Sequence, residues 1–370
     1  MKYLASVFAF CLPVNFAQGQ SLASSQPALD SLIQVHRIPA LLAAVIEPTG
    51  IRYLHGGVRQ QGKPAPAAFT DFFHIGSNTK GITSFIAAKL VEQGKIRWDS
   101  PLAAIVPELR GKVRTEYAAI TLADLLSHRA GIRPYASGPE IDALPSFSGS
   151  ISQKRLQFAL HTLQESPAVP NQSPFAYSNG GYALAALMLE RVSHRSWEEL
   201  VARTFRTLGY RHRIGFPNRQ DATQPWGHWL ESPTDSVFTA LEPSIPYHIQ
   251  DFLAPSGDVA MPLPDYARFV QLHLLGLLEQ ANYLRAATYQ QLHFGQEAYA
   301  YGWGNGTFTG SGARFSFHDG TVGTFFCHTF TVPSQKVAFV VITNAGGAPA
   351  QAACYALRRH LLRRFTAHTL

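Results

Sequence analysis

Apolar and polar positions change their spacing along this chain. At the two ends they gather into short runs of aliphatic, β-branched or aromatic residues broken by turn formers, the pattern of strands. Residues 41–47 and 51–58 are such runs, separated by Pro48-Thr49-Gly50, and residues 301–308, 313–318, 324–332 and 336–343 repeat the pattern near the other end. An apolar helix is expected over about 350–365, just after Pro349. Between the ends the period becomes helical, over residues 122–127, 154–163, 182–192, 197–208 and 265–278. Thr121 precedes the first of these, with Asp124 in capping-box position.

Helices interrupting a sheet predict an α+β fold. An antiparallel sheet is built from both termini (residues 20–76 and 300–370) and flanked by helices, with a mostly helical lobe (77–299) inserted and a cleft at the junction. Two long stretches rich in Pro, Gly and Ser, residues 134–152 and 213–256, are expected to rim that cleft. The first residues differ from the rest. Lys2 precedes an apolar run over 3–14 and a small-residue site at Ala17-Gln18-Gly19, which reads as a signal peptide over 1–19 and predicts a periplasmic or secreted protein. That run is too short to span a bilayer, so no stable membrane insertion is expected.

Composition adds exclusions. A net charge of +7 comes without a clustered Lys/Arg stripe, so no nucleic-acid partner is expected. None of the 15 histidines forms a metal signature, and no metal or other cofactor is expected. Cys327 and Cys354 remain after signal cleavage; they are read as two buried thiols, with a disulfide as the alternative open to an exported protein.

Candidate chemistry begins at Ile75-Gly76-Ser77-Asn78-Thr79-Lys80-Gly81. Ile82, Phe85, Ile86 and Leu90 repeat at helical spacing and Gly94 supplies a left-handed stop, so Ser77 falls in the first turn of a helix, with Lys80 on the same face. A serine hydroxyl needs an adjacent base, and a lysine serves once burial or a neighbouring cation lowers its pKa. The positive end of the helix dipole favours an oxyanion beside Ser77. Tyr177-Ser178-Asn179 offers a phenol, expected to lose its proton more readily beside an ammonium and so to relay protons, and an amide that could bind a substrate carbonyl while steadying Lys80. His318-Asp319-Gly320-Thr321 ends a strand, and Gly320 is expected to admit a ligand close to the backbone.

Ser77-x-x-Lys80, Tyr177-x-Asn179 and His318-x-Gly320, in this order, resemble the three motifs of the penicillin-recognising serine hydrolases, in the branch of class C β-lactamases and DD-peptidase-like enzymes that also holds esterases and D-aminopeptidases. The likeness extends over about residues 30–345 and includes 125–131 and Tyr301-Gly302-Trp303-Gly304. It implies a β-lactamase/transpeptidase-like fold and an acyl-enzyme on Ser77, with Lys80 and Tyr177 moving the protons. It also implies substrate binding by Asn179, His318, Asp319, Gly320 and Thr321, and an oxyanion hole from the N–H groups of Ser77 and Thr321.

The substrate expected is a small molecule or cell-wall peptide, most plausibly cleaved as by a D-alanyl-D-alanine carboxypeptidase or a β-lactamase-related enzyme. A carboxylesterase or D-aminopeptidase on the same site is the alternative. A penicillin-binding sensor or scaffold is the non-enzymatic one. The third motif departs from Lys-Thr-Gly: His318 carries less positive charge than lysine, and Asp319 either points away as a structural group or selects substrates with an amine or no charge. His74, His128 and Ser256-Gly257-Asp258 are read as structural, and Trp226, Trp229 and His228 either line the cleft or pack a loop.

Overall fold

The computed structural model describes residues 22–366 except 137, 170–174, 233–234 and 236. The expected signal peptide lies outside the described residues. Strands run in the order β1 (Ala40–Glu47), β2 (Gly50–Gly57), β3 (Phe72–His74), β4 (Arg213–Ile214), β5 (His228–Trp229), β6 (Thr239–Ala240), β7 (Val259–Pro262), β8 (Gly304–Thr307), β9 (Arg314–Thr321), β10 (Phe326–Val332) and β11 (Val337–Thr343). Six of them form one antiparallel sheet in the order β2-β1-β11-β10-β9-β8. The N-terminal hairpin thus pairs with the C-terminal strands through β1 and β11, as the run pattern predicts.

The principal helices are α1 (Gln26–His36), α2 (Thr79–Glu92), α3 (Leu122–Leu126), α4 (Ile151–Thr162), α5 (Asn179–Ser193), α6 (Trp197–Leu208), α7 (Leu263–Leu277) and α8 (Gly347–Phe365). Caps set their starts. Thr121, Ser150 and Ser196 each close a capping box, with Asp124, Gln153 and Glu199. α5 begins three residues before its expected start because the Ser178 hydroxyl accepts from the Gly181 N–H at 3.0 Å.

β1 shows why its run is continuously apolar: both faces are covered. Leu41, Ala43 and Val45 pack in a cluster with Leu29 of α1 and Ala353 and Leu357 of α8. Leu42, Ala44 and Ile46 face the second, larger cluster, which continues into the inserted lobe. That lobe is not wholly helical. β3, β7 and β4 make a small sheet whose four-residue centre is too short to show a period of two. The strand expected over 301–308 is confined to Gly304–Thr307, since Trp303 is buried against Gly81 of α2 and Tyr301 is buried with its ring stacked on that of Trp98. Cys327 and Cys354 are free and buried. No helix among the described residues is long and apolar enough to cross a membrane.

Candidate active site

The nucleophile turn is held from both sides. β3 delivers His74, and Gly76 takes a positive φ of 53°, which turns the chain into a 3-10 turn over Gly76–Asn78 and then α2. The Gly76 N–H donates to His74 Nδ1 at 3.1 Å, so His74 Nε2 carries the proton toward Asp258 Oδ1, 3.0 Å away. Asn78, 1% exposed, donates from Nδ2 to the carbonyls of Ile75 and Cys327 and accepts at Oδ1 from the hydroxyls of Tyr266 and Thr329. Four bonds on one buried amide pin the turn to β10 and α7.

This turn sits on β9 where β8 no longer pairs, beyond Phe317. A Cβ on Gly320 would lie 1.9 Å from the Ile75 carbonyl oxygen. The protein's own nucleophile turn therefore requires a glycine here, a need separate from the expected role of admitting a ligand. The Val322 N–H reaches the Phe325 carbonyl, so by the alternation of an antiparallel ladder Thr321 turns its N–H away from β10. A Cβ on Gly76 would come within 2.5 Å of that Thr321 nitrogen, which places the Thr321 amide beside the Ser77 turn.

Lys80 is fully buried, and burial lowers its pKa well below the usual lysine range. Its Nζ lies 2.7 Å from Asn179 Oδ1, 2.7 Å from the Ser256 carbonyl and 3.1 Å from Ser77 Oγ. A neutral amine has two N–H donors and one lone pair. The two carbonyl oxygens can only accept, so they take both donors and leave the lone pair aimed at Ser77 Oγ. Ser77 itself is partly exposed and open to a substrate.

Tyr177 is close enough to Ser77 for the serine side chain to ease its ionisation, while the Lys80 Nζ lies over the face of its ring, 4.7 Å from the centroid. Burial pushes the phenol up from 10, outweighing the Ser77 bond that lowers it, and the Asp319 charge adds to the rise. The expected ease of proton loss is absent in the free site: desolvation disfavours the phenolate more than a lysine that is itself held toward neutrality can offset. Burial thus favours the neutral amine of Lys80 and the neutral phenol of Tyr177 on either side of one hydroxyl. Asn179 donates from Nδ2 to the Tyr135 carbonyl, so both ends of its amide are engaged and it fixes Lys80 in place.

His318 and Asp319 part company. His318 is buried, with Nδ1 donating to the Asp319 carbonyl at 2.8 Å and Nε2 2.9 Å from the Tyr299 hydroxyl; burial brings its pKa down to about 4. The Asp319 carboxylate lies on the opposite face of the sheet, 2.6 Å from His328 Nδ1 and 2.6 Å from the hydroxyl of Tyr355 in α8. Burial alone would raise it, but His328 and Tyr355 hold it below the ordinary carboxylate range. Of the two sequence readings, the structural one matches this geometry, and Asp319 as a substrate-binding side chain does not.

Sequence reasoning missed the Ser256 carbonyl, Asn78 and the His74–Asp258 pair. A backbone carbonyl has no sequence signature, and the partner of His74 carries no local signal because Asp258 lies 184 positions away. His128 is structural as read: its Nδ1 accepts the Ser178 N–H at 3.0 Å and its ring packs 4.2 Å from that of Tyr177. The 213–256 stretch does border the site, with the Tyr247 hydroxyl donating to the Val322 carbonyl. Residues from 141 to 154 line a separate cavity of about 340 Å³ with Gln250, Asp251 and Phe252, away from the motif residues.

A family model described as Beta-lactamase matches residues 26–363. Penicillin-binding protein 4 of Amycolatopsis lactamdurans is 24% identical over 337 residues, 87% of this chain and 84% of that protein. Protein flp of Staphylococcus aureus strain NCTC 8325 / PS 47 is also 24% identical, over 86% of this chain; the chain spans only 63% of flp. Among solved structures, an octameric penicillin-binding protein homologue from Pyrococcus abyssi superposes with a TM-score of 0.71 at 20% identity, over 92% of this chain and 77% of that one. SurE superposes with a TM-score of 0.72 at 19% identity, over 93% and 75%.

Proposed function

From the premise that this chain belongs to the beta-lactamase family, we propose that it is an exported serine hydrolase that works through an acyl-enzyme on Ser77. The observation that carries this reading is the set of three partners around the Lys80 Nζ, which leaves its lone pair to Ser77 Oγ. Ser77 Oγ attacks a carbonyl carbon as its proton passes to Lys80. The N–H groups of Ser77 and Thr321 receive the negative charge that develops on the carbonyl oxygen, a pair of donors of which each is worth about a hundredfold or more in rate. The tetrahedral intermediate expels its leaving group, which takes a proton from Tyr177; Lys80 returns a proton to the phenol. Water then adds to the acyl carbon by the same proton route, releasing the acid and restoring Ser77.

Peptide, amide and ester carbonyls all fall within this chemistry, a D-alanyl-D-alanine peptide among them, and the name of the Amycolatopsis relative supports acylation by a β-lactam. A carboxylesterase is the second reading, favoured by the tethered, uncharged His318 in place of a lysine. The test is mass spectrometry of the intact protein after exposure to penicillin and, separately, to an aryl ester. A transient mass gain located on Ser77, absent in Ser77→Ala, is expected; a stable adduct without turnover would make the protein a sensor. Hydrolysis by Ser77→Ala at the wild-type rate would refute the mechanism.

A further inference from the structure

On the side of Tyr177, the residue assigned above to protonate the departing atom, lies a pocket of about 240 Å³ lined by Tyr177, Tyr299, Gly304, Phe317, His318 and Asp319. Its walls are aromatic. The rings of Tyr177 and Tyr299 stand edge to face at 6.2 Å, Tyr299 and His318 at 5.7 Å, and Phe175, 42% exposed, continues the wall outward 6.1 Å from Tyr299.

No lysine or arginine lines this pocket among the described residues. The internal residues outside the description, Ser137, Pro170, Asn171, Gln172, Ser173, Pro174, Pro233, Thr234 and Ser236, include none with a basic side chain. The imidazole of His318 is tied at both nitrogens: Nδ1 donates to a carbonyl, which can only accept, and Tyr299 Oη satisfies Nε2. Arg129, on the Phe175 side, donates to the carbonyls of Ser127, Tyr299 and Glu297. Arg219, near the other end of the site, donates to those of Ile245 and Tyr247. Lys80 is committed to Ser77, Asn179 and Ser256. A carboxylate entering here would lose its water without gaining a cation, whereas a flat apolar group would meet ring faces.

We propose that the departing side of the substrate is uncharged and apolar, an aryl or alkyl ester or amide, and that the site discriminates against a leaving group bearing a free carboxylate. This rests on the acyl-enzyme reading given above. It makes a carboxyl-terminal peptide or a carboxylate-bearing β-lactam a poor substrate, and an uncharged ester a good one.

The test is a matched pair on the wild-type protein: 4-nitrophenyl butyrate and 3-carboxy-4-nitrophenyl butyrate, with the same acyl group and leaving groups that differ by one carboxylate. The expected result is a kcat/KM at least about tenfold higher for the uncharged ester. Equal rates, or preference for the carboxylate-bearing ester, would overturn the proposal. Labelling with an uncharged alkyl fluorophosphonate separates the two levels. If neither ester is hydrolysed while the probe labels Ser77, the specificity proposal falls and the acyl-enzyme reading stands. If Ser77 is not labelled either, both fall.

Discussion

His318 and Asp319 are consecutive on β9, and the two faces they serve have different work. On the lobe side Ser316, His318 and Gly320 meet His293, Tyr299 and the nucleophile turn. On the outer side Phe315, Phe317 and Asp319 meet Phe308, Phe330 and Tyr355 of the terminal helix. One face shapes a reacting site and the other clamps a helix, though a single peptide bond separates the residues concerned. The lesson is that a three-residue motif can be chemically mixed: its first and third members serve the site while the second secures the scaffold.

Three substitutions would break or sharpen this contrast. The largest effect is expected at Gly320→Ala, where the added methyl would collide with the Ile75 carbonyl and push the Ser77 turn off β9. Both N–H groups proposed as oxyanion donors depend on that contact, so kcat/KM for an aryl ester should fall by about a hundredfold or more. A near-wild-type rate would show that the turn is not seated as described.

On the other face, Asp319→Asn should cost about 1–3 kcal/mol in urea unfolding by weakening two bonds to a partly buried carboxylate, yet leave kcat/KM within about threefold. The sign with pH follows from the carboxyl being held below its ordinary value of 3.8. The stabilisation is present above that value and lost as pH falls through the lower, folded one, so the stability gap between wild type and variant should close in acid. A rate loss as large as that of Gly320→Ala would put Asp319 back in the site. The smallest change is Tyr355→Phe, which removes one of the two partners and should lower stability by about 1 kcal/mol with activity intact; a measured drop in kcat would contradict the division of faces.

Much of this was legible in the amino-acid order. The strands at both ends follow from their apolar runs, and the start of α6 at Trp197 coincides with the expected one because Ser196 and Glu199 form a capping box. Ser77, Lys80, Tyr177 and Asn179 were found as residue types whose chemistry makes sense together, and the structure brings them within contact. The separate fates of His318 and Asp319 were also available, since a period of two places neighbours on opposite faces. What could not be read were contacts carried by backbone. The Ser256 carbonyl that holds Lys80 lies 176 positions away and offers no side chain to notice, and a glycine's need for space at position 320 depends on the distant turn at Ile75 that passes over it.

The pairing of β1 with β11 has a consequence for biosynthesis. Residues 42–46 find their partners at 338–342, so nearly the whole polypeptide must leave the ribosome before the large sheet can close. Until then the apolar faces of the N-terminal hairpin stay open, and the hazard during synthesis is association of nascent chains rather than slow chemistry.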